Sequence, residues 1–116
     1  MQRSSKEIAL NIADILEEKK AINVVVLDIS HLTIITDYFI IASGRSETQV
    51  RALYHEVEEK MGEKGILPKR RDGHQGGRWI VLDYGDVIVH IFHQDERGFY
   101  SLERLWADGI PVAIGK

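Results

Sequence analysis

Apolar residues recur at helical spacing in two stretches of the chain, and at strand spacing between and after them. Near the start, Ser4-x-x-Glu7 precedes Ile8, Ile12, Ile15 and Leu16, which is a capping box followed by one buried stripe. Later, Ser46-x-x-Gln49 precedes Val50, Leu53, Tyr54, Val57 and Met61, with Gly62 and Gly65 as exits for that helix. Its other face, with Arg51, Glu56, Glu58, Glu59, Lys60 and Glu63, reads as solvated.

Between the helices lie NVVVLDI and DYFIIAS, β-branched, aromatic and too continuously apolar to leave one face wet. They predict central strands covered on both sides, joined by an irregular connection, SHLTIIT. After the second helix, GILPKR predicts a short edge strand, because Pro68 cannot donate to a central ladder. RDGHQGG predicts a flexible loop. RWIVLDYGDVIVHIF then predicts a hairpin turning at Tyr84-Gly85-Asp86. In RGFYSLERLW, the spacing of Tyr100, Leu102, Leu105 and Trp106 predicts a terminal helix, closed by Gly109 and Pro111. The order α-β-β-α-β-β-β-α implies an α/β (α+β) fold, a mixed sheet of four or five strands flanked by helices. No linker or repeat divides residues 1–116, so one domain is expected.

Composition narrows the function classes. At 116 residues, with 44% hydrophobic and 28% charged residues, the chain suits a globular domain. A net charge of −3 argues against a long cationic groove for nucleic acid. The absence of cysteine removes disulfides, thiolate metal sites and cysteine nucleophiles, and fits a reducing cytoplasm. Asn11 and Asp14 interrupt the N-terminal apolar pattern, so no export signal is expected; no apolar run reaches the roughly 18 residues that span a bilayer.

The densest cluster of polar and aromatic groups runs from Val87 to Trp106, and three chemistries compete for it. A metal site on His90 and His93 fails on strand geometry, since residues three apart point to opposite faces. His93 and Asp95 could meet in the following turn, yet two ligands do not complete a zinc site. A nucleotidyltransferase would use converging carboxylates and a Gly-Ser turn at a helix start. Ser43-Gly44-Arg45-Ser46 supplies such a turn, but Asp83 and Asp86 flank a hairpin bend, and nothing places Asp28 or Asp37 as the third acid. No phosphate loop or nucleophile elbow is present, so neither a cofactor nor a metal is expected. Pro68-Lys69-Arg70-Arg71 is the one compact basic run, a solvated strand end first and a minor RNA contact second.

The third chemistry is recognition. On the first hairpin strand, Trp79, Val81 and Asp83 share one side, while Ile80, Leu82 and Tyr84 share the other. Tyr100 and Trp106 add aromatic area, and Trp, Tyr and Arg dominate protein interfaces. A domain this small has limited interior for all of them.

Three blocks, DYFIIASGRSETQVRAL, GRWIVLDYGDVIVHIF and RGFYSLERLW, resemble the signature of the ribosomal silencing factor family (RsfS, also called Iojap). The resemblance runs from about Ser5 to Val112 in the family's order and spacing. It implies a nucleotidyltransferase-like fold without its catalytic residues, and hence no enzyme. It also implies binding to large-subunit ribosomal protein fourteen, which sterically blocks subunit joining and represses translation when nutrients are short. Members are commonly homodimers when free, and a bacterial cytoplasmic location is implied. Carried onto this sequence, the partner face would comprise Trp79, Leu82, Asp83 and Tyr84, then His90 and Phe92, then Tyr100, Glu103 and Trp106. The same patch is a candidate dimer surface, because an aromatic face exposed in the free protein tends to be buried somewhere.

Overall fold

The computed structural model describes residues 4–73, 75–95 and 109–113. Helix α1 (Ser5–Glu18) starts as its sequence predicts. The Ser4 hydroxyl accepts from the Glu7 N–H at 3.1 Å, and the Glu7 carboxylate accepts from the Ser4 N–H at 3.2 Å. Helix α2 (Glu47–Glu63) is capped by Ser46, which accepts from the Gln49 N–H, but the Gln49 side chain takes the Arg45 N–H instead of closing the box on Ser46. Both helices end in the same hydrogen-bonded motif. Ile66 N–H reaches Met61 O and Gly65 N–H reaches Gly62 O, as Ala21 N–H reaches Leu16 O and Lys20 N–H reaches Glu17 O. The left-handed position is a glycine after α2 but a lysine after α1, with φ of 68° at Lys20.

Five strands follow the sequence expectation: β1 (Ile22–Asp28), β2 (Tyr38–Gly44), β3 (Arg70–Asp72), β4 (Trp79–Asp83) and β5 (Val87–His93). The edge strand β3 starts two residues after Pro68, at the end of the predicted GILPKR segment rather than within it. A sixth, β6 (Ile110–Pro111), corrects the expected count of four or five. It pairs Ile110 with Asp28 and Pro111 with Leu27, on the sheet edge where a residue lacking an N–H is tolerated. The predicted terminal helix lies outside the described residues.

The sheet order is β3-β4-β5-β2-β1-β6, with β2 and β5 parallel and every other pair antiparallel. Central β2 is buried at all seven positions, as its unbroken apolar run requires. Strand β1 is not fully covered: Asn23 is exposed, and the ladder slips between Ile22 and Val25. The two helices lie on one face of the sheet. There Ile12, Leu16, Leu53 and Met61 close over Ile40, Ile80, Leu82 and Ile91. A smaller cluster on the opposite face contains Leu27, Ile29, Phe39, Ile41 and Phe92.

Candidate functional site

The two-residue period of β4 and β5 divides the sequence-predicted partner residues between the two faces. Leu82 is fully buried beneath the helices and has no surface to offer a partner. Tyr84 also points to the helix side, where burial pushes its phenol well above the usual tyrosine range and leaves its hydroxyl without a hydrogen-bond partner among the described residues. Trp79, Asp83, His90 and Phe92 share the opposite face. Tyr100, Glu103 and Trp106 lie outside the described residues.

On that opposite face Trp79 pairs with Phe92 and stacks on it, ring centroids 5.0 Å apart and planes 25° from parallel. The Trp79 indole N–H donates to His90 Nδ1 at 3.1 Å, a diagonal contact across the ladder. Phe39 from β2 closes on the imidazole at 4.8 Å. Accepting at Nδ1 means that the neutral ring carries its proton at Nε2, and this buried N–H has no acceptor among the described residues. Burial accordingly pushes the His90 pKa down to about 4. His90 is therefore a half-satisfied core histidine that orients an indole. Trp79 remains partly exposed, with its indole N–H turned inward to His90.

The acidic side chains hold local structure. Asp83 Oδ1 accepts from the Gly85 N–H at 2.8 Å and tightens the hairpin turn. Asp28 accepts from the hydroxyl and the N–H of Ser30, whose hydrogen bonds keep its carboxyl below the usual range. Asp37 accepts from the Ser5 hydroxyl at 3.0 Å. His93 accepts from the Asp95 N–H, so this pair does meet in the turn. Among the described residues, no three carboxylate or imidazole groups converge as metal ligands.

The glycines of the phosphate-like motifs also have structural duties. A Cβ at Gly44 would sit 3.0 Å from both the Val50 side chain and its backbone nitrogen, so Gly44 lets β2 run close against the start of α2. In the predicted flexible loop, Gly73 has φ +76°, and a Cβ there would come within 2.0 Å of the Trp79 carbonyl oxygen. Its own carbonyl accepts from Gly76 and Gly77, and Arg51 reaches the Gly76 carbonyl from α2. The basic run is partly committed as well: Arg71 pairs with Glu58 of α2, while Lys69 and Arg70 stay exposed.

The sequence is similar to known proteins along nearly its whole length. A family profile described as "Ribosomal silencing factor during starvation" matches residues 2–114. A ribosomal silencing factor RsfS of Halalkalibacterium halodurans is 41% identical over 111 residues, covering 96% of this chain and 95% of that relative. The RsfS of Bacillus subtilis is 40% identical over 112 residues, covering 97% and 92%. A crystal structure of a Chromobacterium violaceum protein superposes with a TM-score of 0.88 at 33% identity, covering 98% of this chain and 94% of that one.

Proposed function

The chain belongs to the ribosomal silencing factor family, and from this premise we propose that it binds the large ribosomal subunit through large-subunit ribosomal protein fourteen and blocks joining of the small subunit. The reading is carried by the family match over residues 2–114, and the Trp79 edge supports it. Here an indole is held by a hydrogen bond from behind and a stacked ring beside it, while part of its surface faces outward. A pre-oriented aromatic loses little freedom on binding, which is what an interface anchor requires. Asp83 lies on the same face and suits pairing with lysine or arginine of a basic ribosomal protein.

The action needs no bond chemistry: a body with a radius of gyration of 12.9 Å, docked where two subunits meet, excludes one by volume. Asp83 and Asp28 each brace a turn, Asp37 bonds the Ser5 hydroxyl of α1, and no three acidic or imidazole groups converge among the described residues, so nothing there favours the nucleotidyltransferase alternative. We also place the protein in the cytoplasm and as a homodimer when free, with exposed Lys69 and Arg70 as a minor contact to ribosomal RNA.

Co-sedimentation with isolated subunits tests the proposal. The wild type should pellet with large subunits and lower the yield of joined ribosomes. Trp79→Ala should weaken binding by about 2 kcal/mol, roughly thirtyfold, at a temperature where its melting curve still shows a folded protein. A wild type that stays in the supernatant with large subunits would refute the reading.

A further inference from the structure

The loop between β1 and β2 inverts the usual placement of its side chains. Ile34 is 105% exposed and Ile35 77%, with Leu32 at 38%, whereas Thr36 is 3% exposed. The loop is also tied down along its length. Ile29 N–H reaches Asp37 O at 2.8 Å, Leu32 and Thr33 N–H both reach Ile29 O, and Ile35 N–H reaches Thr33 Oγ1 at 3.1 Å. At its base, Asp37 N–H reaches Asp86 O at 2.9 Å and the Ser5 hydroxyl reaches the Asp37 carboxylate. Two adjacent isoleucines thus stand in water on a braced support. Little ordering would be needed to insert them into a partner.

We propose that Ile34 and Ile35 form a second docking knob, which seats in an apolar socket on a basic protein of the large subunit. This rests on the large-subunit reading above and adds a contact that the Trp79 face does not provide. Strand register separates the two: Trp79 lies in the row of Phe92 and Ser43, whereas the loop springs from the row of Asp83, Ile88, Phe39 and Leu27. Four residues of strand make that about 13 Å. A standard interface buries about 800 Å² on each partner, more than one part-exposed tryptophan supplies.

Charge selects the occupant. Asp28 and Asp37 bracket the knob in sequence, the backbone carbonyl of exposed Asp86 accepts from the Asp37 N–H at its base, and Lys6 and His31 are the basic groups near Asp28. An apolar centre in net acidic surroundings, with Asp28, Asp37 and Asp86 outweighing Lys6, complements an apolar socket rimmed by lysine or arginine. A second copy meeting this patch about a twofold axis would set the carboxylates against one another. RNA phosphate and anionic lipid would meet the same repulsion.

The test is co-sedimentation of the intact chain with isolated large subunits, comparing wild type, I34S/I35S and Asp86→Lys. Because these side chains are exposed, all three proteins should melt at the same temperature. I34S/I35S should bind about tenfold or more weakly, and Asp86→Lys severalfold more weakly. If I34S/I35S pellets like wild type, the knob is refuted while the large-subunit reading stands. If wild type does not pellet, both fall. Sedimentation equilibrium that shows I34S/I35S abolishing a wild-type dimer, with subunit binding intact, would assign the patch to a second copy and overturn the proposal. Wild type pelleting with phosphatidylcholine–phosphatidylserine vesicles through the same isoleucines would overturn it too.

Discussion

His90 ties acid stability to the integrity of the Trp79 face. It is 7% exposed, and burial lowers its pKa from the ordinary 6.5 to about 4. The unfolded chain therefore binds the proton more readily than the folded one, and stability must fall as pH drops through the window from about 6.5 to about 4. The shift of about 2.5 units corresponds to about 3 kcal/mol, fully present above pH 6.5 and fully lost below pH 4; at pH 5 about 2 kcal/mol is already gone. His90→Gln removes the titration while keeping an acceptor within reach of the Trp79 indole. Urea unfolding of both proteins at pH 7 and pH 5 isolates the effect, since every other titrating group is shared. The stability of wild type relative to His90→Gln should decline by about 2 kcal/mol between the two pH values. A difference that stays constant, or an imidazole that titrates in the folded protein near 6.5 by NMR, would refute the reasoning.

Three further outcomes follow from the same structure. Trp79→Phe keeps the stacked ring but removes the indole N–H, leaving both His90 nitrogens without a partner among the described residues, and should cost about 1–3 kcal/mol in urea unfolding; a variant as stable as wild type would show that the hydrogen bond contributes nothing. Gly73→Ala places a Cβ against the Trp79 carbonyl at a left-handed φ, so it should lose about 3 kcal/mol or more, and a melting temperature within a degree of wild type would contradict that. Lys20→Gly relieves the left-handed lysine after α1 and should add about 1 kcal/mol, raising the melting temperature by about 4 °C; a lower melting temperature would mean that the strain argument is wrong.

The features legible in the sequence are the local ones. Ser4 and Ser46 cap their helices within a few residues of the atoms they bind, and the apolar stripes behind them follow from the 3.6-residue period. Strands β2, β4 and β5 follow from β-branched runs, and the alternation along β4 already separated Trp79 from Leu82. Family membership was legible as well, because it rests on side-chain identities in order along the chain. The Trp79–His90 hydrogen bond was not legible: it depends on the cross-strand register that sets Trp79 opposite Phe92 and Val81 opposite His90.

Tertiary structure alone decided that Ile110–Pro111 forms a sixth strand, because two residues carry no periodic signal and their pairing with β1 spans most of the chain. It also decided that β2 and β5 lie side by side in parallel, which commits Leu82 to the helix-side core and Phe92 to the opposite face. The outward display of Ile34 and Ile35 belongs with these. In the sequence they read as two more apolar residues of an irregular connection, and only the hydrogen bonds closing that loop onto Asp37 and Asp86 turn them to solvent. Local spacing determined which elements form. Contacts between residues distant in sequence, paid for in chain entropy and recovered by burial, decided which faces remain to meet a partner.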